Sequence, residues 1–440
     1  MSQTPVMASD ERQKTILALP VKLLIGYVAI AFFMTGDGFD LAFLSKYLHD
    51  LDFSGAEISV VFSLYGLTAA LSAWMTGVIA EVFGAKRTMF VGFVLWVLFH
   101  VLFLTMGIEQ LNYQAILAFY GLRGMAYPLF LYSFVVIIVS NVKGTQVSPA
   151  LGWFWTVYSI GIGVLGALIP SFTIDILGEK GTLYLALVFI AIGGVLALVS
   201  RADSAKVKSD EPMMQRLSEI KYSVLLFKNP HVLYACIIRV INTISLFGFA
   251  VIMPLMFVEE LNFTTAQWLQ VWAVFFGVTV FTNVAWGIIG EYIGWIVVIR
   301  YFGCLGMCAS TLLFYFLPHW IPSIYIGYLC AVLLGIFVAC FVQITPILTS
   351  LEPEHKGACI SVYNLSAGLS NFLAPAIATV AMPWFGIKGV VYIYAALYFC
   401  AFLLTFLLKC DHESFAPKNL FKVLKQNKQN KSAGALKAAA

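Results

Sequence analysis

The sequence predicts an all-α membrane protein: twelve transmembrane helices arranged as two pseudo-symmetric six-helix bundles. Three observations carry this reading. The composition is too apolar for water, bilayer-length apolar runs succeed one another between short polar loops, and the second half of the chain repeats features of the first.

Of 440 residues, 61% are hydrophobic and 11% charged, with a mean hydropathy of +0.91. A soluble domain carries about 25% charged residues, so this chain lacks the polar surface to face water on all sides. The net charge of +4 is small, and no basic patch invites nucleic acid. The first apolar run, from about Leu23, is too long for a cleavable signal and leads into further spans. All eight cysteines lie after residue 235 without metal-ligand spacing, and Cys304 with Cys308 is an i, i+4 pair on one apolar helix. They read as small buried hydrophobes, and no metal site is expected. No Walker motif, nucleophile elbow or catalytic cluster is present, so the chain reads as neither an enzyme nor a hydrolysis-driven pump.

A helix crossing a bilayer core needs about 20 apolar residues. Such spans fall near 23–48, 57–80, 88–108, 113–139, 149–170, 181–200, 232–258, 266–290, 297–317, 322–349, 357–381 and 387–409. The first and seventh are long enough to bend, and Gly36 and Gly38 would ease a bend in the first. Cation placement sets orientation. With the N-terminus inside, the cytoplasmic side collects Arg12, Lys14, Lys22, Lys86, Arg87, Lys143, Arg300, Lys356 and the cations of the long polar loop and tail. The other side keeps Lys46, Lys180 and Lys388 among acidic loops. The expected organisation is a cytoplasmic N-terminal segment (1–22), an N-terminal bundle (23–200), a cytoplasmic linker (201–230), a C-terminal bundle (231–409) and a basic cytoplasmic tail (410–440). A monomer in a bacterial inner membrane is expected.

The repeat is visible in register. His49-Asp-Leu-Asp-Phe53 matches Glu259-Glu-Leu-Asn-Phe263 at an offset of 210 residues, and Gly77, Glu81 and Gly84 fall on Gly287, Glu291 and Gly294 at the same offset. Val157-Tyr158, Gly163 and Pro170 match Val362-Tyr363, Gly368 and Pro375 at an offset of 205. A duplicated six-helix unit is the build of a secondary transporter, with solute held between the halves near the membrane midplane.

The segment Gly77-Val-Ile-Ala-Glu-Val-Phe-Gly-Ala-Lys-Arg87 resembles the loop signature of the major facilitator superfamily, G-x-x-x-D-R-x-G-R-R. Glu81 replaces the usual Asp and Val82 the usual Arg; Gly287 to Gly294, with Glu291, is a second, degenerate copy. The resemblance assigns gating to Gly77, Glu81, Gly84, Lys86, Arg87 and Glu291. Longer strings are similar to the bacterial polyol permeases, a branch that includes ribitol and D-arabinitol carriers: Phe33-Met-Thr-Gly-Asp-Gly-Phe-Asp-Leu-Ala-Phe-Leu-Ser45, Tyr120-Gly-Leu-Arg-Gly-Met-Ala-Tyr-Pro128, Arg239 to Phe249, and Val362 to Pro375. This resemblance implies proton-coupled uptake of an acyclic sugar alcohol, with no cofactor beyond the proton gradient.

Asp37, Asp40, Arg123 and Arg239 stand alone in apolar runs, where a charge costs roughly 3 kcal/mol or more to insert. Asp37 lies about 21 Å along its helix from Lys22, Arg123 about 16 Å from Asn112, and Arg239 about 12 Å from His231, so all sit at depth. The superfamily arrangement lines its cavity with the first, fourth, seventh and tenth helices, which would bring three of these faces together. Asp37 is expected to take and release the coupled proton, with Asp40 tuning it and Arg123 pairing with the charged carboxylate. The alternative is a static ion pair between helices. A polyol site needs amides, charged groups and aromatic faces. Candidates are Arg239 with Asn242, then Gln270, Asn364, Asn371, Tyr127, Tyr363 and Trp272, with Tyr65, Tyr158, Trp155 and Trp268 also in view. Trp268, at the end of its span, reads as an interfacial belt residue.

Gly161-Ile-Gly-Val-Leu-Gly166 fits a dinucleotide fingerprint but lies inside a span, where small residues for close helix packing explain it better. His100 reads as a packed or hydrogen-bonded residue. Two other readings remain open: transport of a polyhydroxylated carboxylate such as a citrate-type siderophore in either direction, and a non-transporting membrane receptor.

Overall fold

In hydrocarbon every backbone polar group must be satisfied within the chain, and here helices do so. The computed structural model describes residues 15–16, 19–142, 147–200, 222–352 and 356–409. Ten apolar helices among them are long enough to cross a membrane, but Ala150–Val199 and Ser361–Leu404 run to 50 and 44 residues. Each is interrupted by a glycine in a conformation closed to other residues, Gly178 (φ 71°) and Gly386 (φ 62°). Each of these two therefore crosses twice, giving the twelve spans that the sequence predicts. Strand structure among the described residues is a minimal antiparallel ladder, Thr15–Ile16 with Leu19–Pro20. The expected linker up to residue 221, the tail from 410, and the side chains of Glu81 and Glu291 lie outside the described residues.

The repeat extends to backbone detail. The second span, Gly55–Phe83, opens with a capping box made by Ser54 and Glu57, and the eighth, Thr265–Ile293, with one made by Thr264 and Gln267. Just upstream, Asp52 (φ 67°) and Asn262 (φ 57°) take the same left-handed turn. Both helices end on a positive-φ glycine, Gly84 (φ 94°) and Gly294 (φ 96°), that reverses the chain within one residue. In the first half, Lys86 Nζ donates to the Ser200 carbonyl at 2.6 Å; in the second, Arg300 Nη2 donates to the Thr405 carbonyl at 3.0 Å. Each cation thus closes the last turn of its bundle's sixth span, where helix dipoles favour positive charge.

Four spans are broken at depth. The first stops at Gly38 and resumes as Leu44–Asp50; the fourth is Tyr113–Arg123 then Ala126–Asn141; the seventh is Pro230–Asn242 then Ile244–Leu255; the tenth passes from Ile324–Val338 through a tight turn at Ala339–Gln343 to Ile344–Leu351. The first break lies just beyond the predicted hinge glycines and contains Asp40.

The halves meet chiefly where the second span packs along the eleventh and the fifth along the eighth. A side chain at Gly66 would collide with the Asn371 backbone, and one at Gly368 with Ala70, so these helices touch main chain to main chain. The predicted packing role of the Gly161–Gly166 run also holds: a Cβ on Gly161 would lie 2.9 Å from the Ala31 carbonyl oxygen. The seam closes on the face carrying the second and eighth helix starts, hereafter the distal face. There Ser45 Oγ donates to the Ala250 carbonyl (3.2 Å), Trp268 Nε1 to the Ala42 carbonyl (2.6 Å), and Lys46 pairs with Glu259 (2.9 Å) and with Asp50. Towards the opposite, terminal face, Gly77, Gly152, Gly277 and Gly287 have nothing against them. Trp268 is accordingly not a belt residue: it is fully buried, packed at a tilt against Trp272 and bonded across the seam.

Candidate solute-binding site

A small cavity lies between the halves, with Asp37, Asp40, Tyr65, Tyr127, Tyr158 and Asn371 in its wall. The broken first span puts both carboxylates there, Asp37 on the last helical turn and Asp40 in the turn that follows. Their partners differ. Asp40 forms an ion pair with Arg123 Nη2, whereas Asp37 Oδ1 accepts from Trp96 Nε1 at 2.6 Å. The expectation that Arg123 pairs with Asp37 is corrected: its guanidinium is committed to Asp40.

Arg123 is 1% exposed and held from several sides. Its Nη1 lies 2.6 Å from His100 Nδ1, and His100 Nε2 lies 3.0 Å from the Leu183 carbonyl. A carbonyl only accepts and a guanidinium only donates, so the ring carries its proton on Nε2 and is neutral. The rings of Tyr120, Trp96 and Tyr65 surround the cation at 4.5, 4.9 and 5.6 Å, and His100 stacks on Trp96 with centroids 4.4 Å apart. Sequence reasoning missed Trp96 as a member of this cluster and placed His100 only as a hydrogen-bonded residue. The available signal was position: both lie in the third span, four residues apart and so on one helix face.

Arg239 is placed otherwise. Its Nη1 donates to Asn242 Oδ1 at 2.9 Å and approaches Thr243 Oγ1 at 3.4 Å, and its guanidinium lies 4.6 Å from the Tyr363 ring. Thr243 in turn donates to Ser370, beside Asn371 of the cavity wall. Among the described residues no carboxylate forms an ion pair with Arg239. The remaining candidates are dispersed. Asn364 is half-buried next to Tyr363. Gln270 accepts from Tyr328 at 2.9 Å inside the second half, Trp272 is buried beneath Trp268, and Trp155 is 41% exposed. Of the gating candidates, Gly77 faces open space, Gly84 makes its turn, Lys86 caps the sixth span and Arg87 is exposed.

Two duplicated bundles enclosing a polar, charge-bearing cavity at depth define a membrane solute carrier. Comparison with known proteins agrees. The family model described as Major Facilitator Superfamily matches residues 23–351 and 235–432. The chain belongs to the Major Facilitator Superfamily; it is a multi-pass membrane transporter and not an enzyme. It is 56% identical over 409 residues to a D-arabinitol transporter of Klebsiella pneumoniae, covering 92% of this chain and 96% of that one. It is also 56% identical over 401 residues to a ribitol transporter of the same organism (90% and 94%), and 34% identical to an alpha-ketoglutarate permease of Bacillus subtilis strain 168 (90% and 92%). The solved structure of the nucleoside transporter NupG superposes with a TM-score of 0.68 over 88% of this chain and 97% of that one, at 14% identity, a likeness of fold alone.

Proposed function

We propose that this protein takes up a polyol such as ribitol or D-arabinitol by proton symport, the two halves alternately exposing the central cavity to either side. The 56% identity to carriers of those two pentitols supports the substrate class. The same reading gives a monomer in a bacterial inner membrane with both termini cytoplasmic, driven by the proton gradient without a cofactor. The terminal face then looks into the cell. The bundles 23–200 and 231–409 act as the rocking units, joined by the 201–230 linker.

The observation that carries the coupling assignment is the division of labour between the two carboxylates. Arg123 already answers Asp40, so Asp37, bonded to a neutral indole N–H, can change its charge without breaking an ion pair. Asp37 is therefore assigned the transported proton, Asp40 and Arg123 the fixed charges that tune it. Tyr127, Asn371, Asn242, Arg239, Asn364 and Tyr363 are assigned to substrate, and Gly77, Glu81, Gly84, Lys86, Arg87 and Glu291 to gating; Gln270, bonded to Tyr328, and Trp272, buried under Trp268, are left to the packing of the second half.

Purified protein in proteoliposomes tests this with radiolabelled ribitol and D-arabinitol, with and without an uncoupler. Accumulation should collapse with the uncoupler. Asp37→Asn should abolish proton-driven accumulation while retaining counterflow. Full accumulation by that variant would remove Asp37 from the coupling, and absence of polyol counterflow in the wild type would overturn the substrate.

A further inference from the structure

Arg239 carries more hydrogen-bonding capacity and charge than a neutral solute calls for. It is 9% exposed, and its neighbour Asn242 5%. Only Nη1 is engaged among the described residues; Nε has no partner, nor does Asn242 Nδ2. The free Nε–Nη2 side of a guanidinium is an edge that takes the two oxygens of a carboxylate in parallel. A buried cation without a counter-ion is costly, so an answering anion at this place is worth more than a hydroxyl.

The position suits a solute reaching from the cavity. Tyr158, from the first half, lies in the cavity wall opposite Asn371 of the second. The Thr243–Ser370 bond ties the Arg239 break to the segment that presents Asn371. Arg239 is thus joined to the cavity wall through Thr243 and Ser370.

We propose that Arg239, Asn242 and Tyr363 form a carboxylate subsite, so that the cavity binds polyhydroxylated monocarboxylates, aldonates in which one end of a pentitol chain is a carboxylate, as well as neutral polyols. The guanidinium edge takes the carboxylate, Asn242 Nδ2 donates to one of its oxygens, and Tyr363 packs beneath the guanidinium. The hydroxylated remainder lies towards Tyr127, Tyr158 and Asn371, a placement that rests on the polyol reading above. The subsite itself rests only on the unpaired cation and its open edge.

Binding to the purified full-length protein in detergent tests it, with potassium ribonate, ribitol and, as a charge control, potassium acetate titrated at constant ionic strength. Wild type should bind ribonate well above acetate, and Arg239→Gln should lower the ribonate-to-ribitol affinity ratio at least about tenfold. Arg239→Lys, which keeps charge but loses the fork, should fall between. Ribonate binding no better than acetate overturns the proposal; so does a ratio unmoved by Arg239→Gln, which would leave the guanidinium as packing or as the partner of ionised Asp37. A monodisperse elution peak with a cooperative melt confirms that the variant is folded. If ribitol fails to bind the wild type, the polyol reading falls, and the ribonate affinity of wild type against Arg239→Gln still decides the subsite.

Discussion

The two intramembrane arginines are set at similar depth in the two halves and are treated in opposite ways. Arg123 has both terminal nitrogens occupied, one by the Asp40 carboxylate and one by neutral His100, and aromatic rings around it. Arg239 has one terminal nitrogen on an amide, one ring beneath it and, among the described residues, no acid. Each leaves Nε unbonded, but only Arg239 leaves a whole edge without a partner among the described residues. A satisfied buried cation is a fixed part of the scaffold; an unsatisfied one is poised to act. The first half therefore holds its charge internally, while the second presents one to whatever enters.

The largest effect should come from removing the acid of the satisfied pair. Asp40→Asn strands Arg123 and should destabilise the protein by about 3–5 kcal/mol, read as a fall in melting temperature in detergent, while Asp40→Asn/Arg123→Gln recovers much of the loss. Arg239→Gln, which removes a cation that has no counter-ion among the described residues, should leave folding stability unchanged or raise it. Equal losses for Asp40→Asn and Arg239→Gln would erase the distinction between the two sites. Next in size is His100→Leu, which takes away an acceptor from a charged donor and should cost about 1.5–3 kcal/mol. An unchanged melt would mean that Asp40 alone fixes Arg123.

The smallest effect lies on the distal surface. There Glu109 accepts from Lys180 and Tyr184, which hold its carboxyl below the ordinary glutamate range. A depressed carboxyl contributes its stability above the unfolded pKa and loses it as pH falls through the folded one. The melting difference between wild type and Lys180→Gln should be slight at pH 7 and fade below about pH 4. A difference that grew in acid would contradict the assignment.

Much of this was legible in the sequence because membranes impose simple rules. Apolar run length gave the spans, and the offset between His49–Phe53 and Glu259–Phe263 gave the duplication, now matched by the paired turns at Asp52 and Asn262. Of the four isolated charges in apolar surroundings, Asp37 and Asp40 line the cavity, beside Tyr127 and Asn371. What a one-dimensional pattern could not supply was direction. Arg123 could have met either aspartate, and only the break after Gly38 turns Asp40 towards it. Trp268 at the end of a span has the signature of a belt residue, yet its ring is turned into the seam to reach Ala42. Gln270 and Trp272 share the eighth span with residues of the seam, and helical periodicity alone could not tell which wall each would join.

The seam on the distal face has a further implication through the kind of partner it uses. Two of its links end on main-chain oxygens, Ala42 and Ala250, and a third on Glu259, a carboxylate at the surface. Water can serve each of these oxygens nearly as well as the protein does, so parting exchanges one set of contacts for another at small net expense. Such a closure is a latch rather than a weld, and thermal motion can lift it.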